Sequence, residues 1–227
     1  MVEDSNYLAK ASEFFKQGEK KLKPGVFGKM FGNKSDRLEE ACELFKQAAN
    51  YYRLGRDSNS YSVNSSAQAF LRCAQCAPDD AANYYMEAGN IIKNVNSAEA
   101  VNYYNQAVNQ LSVSGRISQA ARLRKQIAEI YEQEQNVNLA VDNYKQAAEL
   151  FQMDNSDSTA NNCWLKVAEL STLESFSVQV ATEAIRVRFT QIFERVGIAF
   201  LAHNLTKYSA KDCFFKASLL FLALDVT

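Results

Sequence analysis

Residues 100–107 read Ala-Val-Asn-Tyr-Tyr-Asn-Gln-Ala, and residues 140–147 read Ala-Val-Asp-Asn-Tyr-Lys-Gln-Ala. Each stretch holds an alanine, an aromatic four residues on, and a second alanine seven residues on: Ala100, Tyr104, Ala107 and Ala140, Tyr144, Ala147. Offsets of four and seven fall on one face of an α-helix. Small residues let a neighbouring helix come close, and the aromatic between them fills the gap that remains. The triplet recurs as Ala41, Phe45, Ala48, as Ala81, Tyr85, Ala88, and as Ala210, Phe214, Ala217. One such face cannot bury itself, so each requires a stacked partner.

The spacing defines the unit. Ala41 to Ala81 is forty residues, Ala100 to Ala140 is forty, and Ala81 to Ala100 is nineteen, about half of that. Two helices per unit of about forty residues fit this arithmetic. Partner helices are read at Ala121-Ala128-Tyr131 and Ala160-Trp164-Ala168. Turn signals separate them at Gly55–Asn59, Ala77-Pro78-Asp79, Asn94–Ser97, Ser114-Gly115-Arg116 and Asp154–Ser158. Ser97 and Asp157-Ser158 are read as helix N-caps. The expectation is an all-α chain, a tetratricopeptide-like α-solenoid of antiparallel helix pairs forming one domain over residues 1–227. A compact helical bundle would not explain the regular period.

Composition agrees. The chain has 227 residues, 47% hydrophobic and 22% charged, as in ordinary globular proteins. Only two prolines and eight glycines interrupt it, which argues for long helices. With 25 Lys+Arg against 26 Asp+Glu the formal net charge is -1, so bulk positive charge for nucleic acid is absent and no nucleic-acid partner is expected. Five cysteines, an odd number, and an acidic, polar start (Met1–Asn6) point to a reducing cytosol. The longest apolar stretch, around Ser218 to Leu224, is too short to span a bilayer. Membrane contact would therefore be peripheral.

The segment 24–34 breaks the repeat. Pro24, Gly25, Gly28 and Gly32 oppose helix, yet Val26, Phe27, Met30 and Phe31 are large and apolar. Lys20, Lys21, Lys23, Lys29 and Lys34 surround them. An apolar wedge with a basic collar suits shallow insertion into an anionic bilayer; folding back onto the first helix pair is the alternative. The Gly25-x-x-Gly28-Lys29 run is no phosphate loop, because the glycines are too close and Met30 takes the Ser/Thr position.

Catalytic chemistry finds no support. His203 is the single histidine, set among apolar residues. Cys73-x-x-Cys76 is one CxxC without a second pair, so it reads as two cysteines near the end of a repeat helix. Cys42, Cys163 and Cys213 read as interior or half-buried positions. Glu39-Glu40 and Asp79-Asp80 are placed just before repeat helices, where they favour the dipole. No catalytic residue, cofactor or metal is expected. The cations Arg116, Arg122, Arg124, Lys125, Lys166, Lys207 and Lys211, with Tyr208, could align across stacked helices as a ridge for an acidic partner.

The chain resembles the soluble NSF attachment proteins of the alpha-SNAP type from about Ala9 to about Phe221. The matching stretches are Arg37–Phe45, Ala88-Gly89-Asn90, Ile127–Glu132, Leu165-Lys166-Val167-Ala168 and, most specific, Lys207-Tyr208-Ser209-Ala210-Lys211-Asp212-Cys213-Phe214-Phe215-Lys216-Ala217. The resemblance implies a cytosolic, peripherally membrane-associated, non-enzymatic adaptor. It would coat the four-helix SNARE bundle, with syntaxin-type SNAREs among its members, and recruit the hexameric ATPase NSF for disassembly after fusion. It assigns membrane contact to Val26, Phe27, Met30 and Phe31. It assigns SNARE binding to Arg116, Arg122, Lys166, Lys207, Tyr208 and Lys211. A further family lysine is replaced by Asn162. The family's acidic, leucine-containing C-terminal region, which engages NSF, is expected to be absent after Leu224-Asp225-Val226-Thr227. A SNARE-binding variant unable to activate NSF, or a general tetratricopeptide-like scaffold, are the alternatives.

Between Glu174 and Glu194 the pattern slips. Removing Arg186–Thr190 would let Ala184 lead to Phe193 at four and Val196 at seven, and residues within Ser177–Thr182 look surplus. The expectation is a lengthened loop or a helix turned in register.

Overall fold

The computed structural model describes residues 2–23, 33–55, 60–178, 183–202 and 207–225. Among them are ten α-helices: α1 (Val2–Leu22), α2 (Lys34–Leu54), α3 (Tyr61–Cys76), α4 (Ala81–Ile92), α5 (Ser97–Val113), α6 (Ile117–Gln133), α7 (Val137–Met153), α8 (Asp157–Val178), α9 (Glu183–Leu201) and α10 (Lys207–Asp225). A single 3-10 turn, Pro78–Asp80, precedes α4. No strand occurs among the described residues. The chain divides into two compact units, Met1–Gly115 and Arg116–Thr227. Within each, every helix packs on its sequence neighbours. Connections of a few residues between packed helices make those neighbours antiparallel. This is the expected helical-hairpin architecture.

From α5 to α8 the repeat is strict. The helices begin at Ser97, Ile117, Val137 and Asp157, twenty residues apart. The fourth residue of each is Ala100, Ala120, Ala140 or Ala160, all fully buried. Seven residues later stand Ala107, Ile127, Ala147 and Val167, also buried. Three of the turns are alike: Gly115, Gln135 and Asn155 have φ of 72°, 59° and 56°. A left-handed residue here stops the helix, and the following amide bonds back across the last turn, as Asn136 N to Tyr131 O at 2.9 Å and Ser156 N to Phe151 O at 2.8 Å. The next helix is capped at once. Asn96 accepts from the Glu99 amide at 3.1 Å, and Asn136 accepts from the Leu139 amide at 3.4 Å. The α5 cap is therefore Asn96, one residue before the expected Ser97, because an asparagine side chain can reach the Glu99 amide while Glu99 Oε2 accepts from Asn96 Nδ2 at 3.2 Å.

The small pair extends beyond the helices where it is obvious. It is Ala11 and Gly18 in α1, Ala67 and Ala74 in α3, and Thr190 and Gly197 in α9. Glycine matters where rings press on the backbone: a Cβ on Gly89 would lie 2.5 Å from Tyr104 Cε1, and one on Gly18 would lie 2.8 Å from Phe45 Cε1. Helix α2 starts earlier than expected. Lys34 is already helical and Asn33 caps it through the Ser35 amide at 3.1 Å, so Glu39 and Glu40 lie inside the helix rather than before it.

The slip expected near 177–190 takes a different form. Thr190, Phe193, Gly197 and Phe200 on α9 and Ala210, Cys213, Ala217 and Leu220 on α10 are buried, and each pair is again twenty residues apart. Ala160 to Thr190, however, is thirty residues. Ten residues are thus inserted. Five prolong α8 to Val178, four extend α9 back to Glu183, and the connection has one more than the turns before it. Phe193 and Val196 face the core as anticipated, but the small pair that sets the face is Thr190–Gly197. Helices can lengthen because added residues such as Glu174, Glu183, Ala184 and Ile185 are helix-compatible, and none of the ten is glycine or proline.

Candidate SNARE-binding face

All six residues expected to bind an acidic partner lie in the unit Arg116–Thr227. Arg116 stands at the N-cap of α6, half-buried, and its guanidinium donates to Gln119 Oε1 at 2.6 Å. Arg122 is exposed on α6. Lys166 lies on α8 and is engaged: its Nζ donates to Glu132 Oε1 at 2.7 Å. Lys207, Tyr208 and Lys211 are exposed on the first turns of α10, with Lys207 Nζ 5.4 Å from the Tyr208 ring centroid. Tyr208 is 80% exposed, an unusual state for an aromatic with no covering element among the described residues.

These residues occupy alternate helices, α6, α8 and α10, but not one register position. Counted from each helix start, Arg122 is sixth, Lys166 tenth, and Lys207, Tyr208 and Lys211 first, second and fifth. They thus stand at different heights along their helices, with Tyr208, Arg122 and Lys166 at positions four apart, a spacing that keeps to one helical face. Lys207 and Tyr208 are in direct contact with one another.

The network around Lys166 was not foreseen. Glu132 Oε2 accepts from the Tyr144 hydroxyl at 2.6 Å while its other oxygen accepts from Lys166. Burial would raise the Glu132 carboxyl, but the hydrogen bonds from Lys166 and Tyr144 outweigh it and hold it below the usual carboxylate range. The Glu132 hydrogen bond correspondingly raises Lys166. Helices α6, α7 and α8 are clasped by one carboxylate, and the charge Lys166 can offer a partner is shared. Beside it, Arg124 occupies the slot that holds Tyr104, Tyr144 and Trp164 in neighbouring helices. It donates to Asn143 Oδ1 at 3.3 Å, and Asn143 in turn donates to the Leu139 carbonyl at 2.8 Å. Arg124 is therefore packing, not ridge. Lys125 pairs with Glu129 at 3.6 Å.

Helices α8, α9 and α10 are joined by Lys216 of α10, which pairs with Glu169 of α8 at 2.5 Å and lies 5.8 Å from the ring of Phe193 on α9. Asn162, standing where the resemblance expects lysine, is exposed on α8. Val26, Phe27, Met30, Phe31 and His203 lie outside the described residues. No helix among the described residues is long and apolar enough to cross a membrane. No cluster of three His, Cys, Asp or Glu suited to a metal ion occurs among them.

The profile of the family described as "Soluble NSF attachment protein, SNAP" matches residues 9–227. The chain belongs to the soluble NSF attachment protein family. Mouse alpha-soluble NSF attachment protein is 33% identical over 234 residues, covering 99% of this chain and 74% of the mouse protein. The vesicular-fusion protein SEC17 of Komagataella phaffii is 33% identical over 221 residues, covering 96% of this chain and 72% of its own. The solved structure of BtubC from P. vanneervenii superposes with a TM-score of 0.43 at 14% identity, over 98% of this chain and 89% of that one. The family is one of attachment proteins, not of enzymes.

Proposed function

We propose that this chain is an adaptor that binds the assembled SNARE bundle and recruits NSF for its disassembly in vesicle fusion and intracellular transport. The family match along residues 9–227 carries this reading. The bundle is a rod of acidic and polar helices. Exposed Arg122, Lys207 and Lys211 supply charge complementary to it, and Tyr208 supplies an apolar surface with a polar tip. Lys166 adds its ammonium on condition that a partner carboxylate competes with Glu132 for it. Syntaxin-type SNAREs, whose bundle is acidic, are the intended partners, and the protein works in the cytoplasm at membrane surfaces.

The membrane end of the reading rests on sequence. Val26, Phe27, Met30 and Phe31 with their surrounding lysines have the composition of a shallow lipid anchor. Replacing Phe27 and Phe31 by serine is expected to lower liposome recruitment several-fold while binding to a soluble bundle persists; equal recruitment would remove the loop from the reading. The function itself is tested by immobilising an assembled bundle and, separately, its single SNARE helices, then adding the purified chain, NSF and ATP. Retention on the bundle alone, followed by ATP-dependent release of the SNAREs, is expected. Equal retention on isolated helices would point to a general peptide-binding scaffold. Retention without release would limit the chain to SNARE binding.

A further inference from the structure

Three of the five cysteines gather in the unit Met1–Gly115, at the α2–α3–α4 junction. Cys42 of α2 is at the centre. Its Sγ lies 3.4 Å from the Tyr84 hydroxyl of α4, and Cys73 of α3 directs its own Sγ at the Cys42 carbonyl at 3.4 Å. Cys42 forms part of the floor of an open groove of about 890 Å³, where Lys46, Glu43 and Tyr84 are its neighbours. Cys73 is fully buried behind it. Cys42 is 4% exposed and shares the groove lining with Cys76, so the groove is the side from which a small solvent-borne reagent approaches the Cys42 thiol.

The electrostatics separate the two sulfurs. The hydrogen bond from Cys73, with help from Tyr84 and Lys46, outweighs burial and holds the Cys42 thiol well below the usual thiol value. The same bond and burial drive Cys73 up. Burial also raises Cys76, Cys163 and Cys213.

We propose that Cys42 and Cys73 are a reversible oxidation site, with Cys42 attacking a hydroperoxide and Cys73 resolving the product into a disulfide that ties α2 to α3. In the first step the Cys42 thiolate takes the terminal oxygen of the peroxide. The O–O bond breaks, hydroxide (or alkoxide) leaves, and Cys42 becomes a sulfenic acid. In the second step the Cys73 sulfur displaces the sulfenic oxygen as water. The two electrons lost by the sulfur pair are those that cleave the peroxide. The packed α2–α3 pair already holds the two residues side by side, with Cys73 Sγ 3.4 Å from the Cys42 carbonyl.

The test uses the full reduced chain and hydrogen peroxide at a few equivalents, followed by proteolysis and mass spectrometry. The expected product is a Cys42–Cys73 cross-linked peptide pair, lost on adding dithiothreitol. Cys73→Ser should instead leave a sulfenic acid on Cys42 that a dimedone probe traps, and Cys42→Ser should give neither product. Under limiting iodoacetamide at neutral pH, Cys42 should be alkylated at least about tenfold faster than Cys163 or Cys213, the ratio that its lowered thiol implies. The wild-type readings need no variant to fold. A bridge from Cys42 to Cys76, no bridge at all, or alkylation of all five thiols at similar rates would overturn the assignment.

Discussion

On α7 the positions that face away from the core carry Asn138, Lys145, Glu149 and Gln152; on α10 the same register positions carry Tyr208, Phe215, Leu219 and Leu222, all more than half exposed. Both helices bury a small pair seven residues apart, Ala140–Ala147 and Ala210–Ala217. The difference is on the other side. α7 is amphipathic in the ordinary sense, with a polar face for water. α10 carries apolar residues on its outer face as well, alongside the exposed Lys207, Lys211, Asp212 and Lys216. Periodicity of hydrophobicity therefore locates the core face of α7 but not of α10. There, the spacing of small residues identifies it.

A second contrast separates these regions. α6, α7 and α8 are joined by three-residue turns, a strict register and the Glu132 clasp. α8 and α9 meet across the ten-residue insertion and pack much less extensively than either does with its other neighbour. The α9–α10 hairpin should consequently behave as a less tightly coupled element. Replacing Phe193 by alanine removes a buried ring and should cost about 3–5 kcal/mol. Amide exchange should then rise throughout α9 and α10 while α6 and α7 keep their protection. Equal loss of protection in α7 would show that the insertion does not decouple the hairpin.

The clasp gives a smaller, pH-dependent effect. Glu132 has its folded pKa depressed, so its stabilisation is present above the ordinary carboxylate value of about 4.3 and is lost as pH falls through the lower folded value. Glu132→Gln should lower stability by about 1 kcal/mol at pH 7, a figure reduced for partial solvent screening. Thermal melts of variant and wild type should converge near the acid end. A gap that persists unchanged in acid would mean packing, not charge, is what Glu132 supplies.

The register itself can be sharpened by Gln135→Gly. Gln135 holds φ at 59° where Gly115 does the same work without a Cβ. The change should stabilise by up to about 1 kcal/mol in chemical denaturation, since a left-handed side-chain residue costs roughly that much. Smallest of all, Phe215→Lys should shift stability by no more than about 0.5 kcal/mol, as expected of an exposed position. A large loss would show that the outer ridge of α10 is part of the core.

Much of the architecture is written locally. Ala41–Phe45–Ala48 and its four counterparts fix helix, face and period because one eight-residue window contains all three. The pattern hides where the chemistry is substituted. Arg124 fills an aromatic slot in α6, and only its bond to Asn143 on the next helix explains how a guanidinium is tolerated there. Thr190–Gly197 hides the α9 face because neither residue is alanine and Ala184 competes for the same reading. The site was legible as residue types but not as states. Lys166 and Glu132 are thirty-four residues apart, so no local signal discloses that this lysine is already paired. The Cys42–Cys73 contact, thirty-one residues apart, was invisible for the same reason.

The central claim is that the cationic start of α10 meets an acidic helical bundle. Its most direct test is binding of the full chain to an assembled SNARE bundle, measured for wild type and for the Lys207→Glu, Lys211→Glu double variant at low and high salt. Both lysines are exposed, so the variant should fold as the wild type does. The account predicts affinity lost by tenfold or more at low salt, with the difference shrinking as salt screens the charges. Unchanged affinity in a folded variant would contradict it.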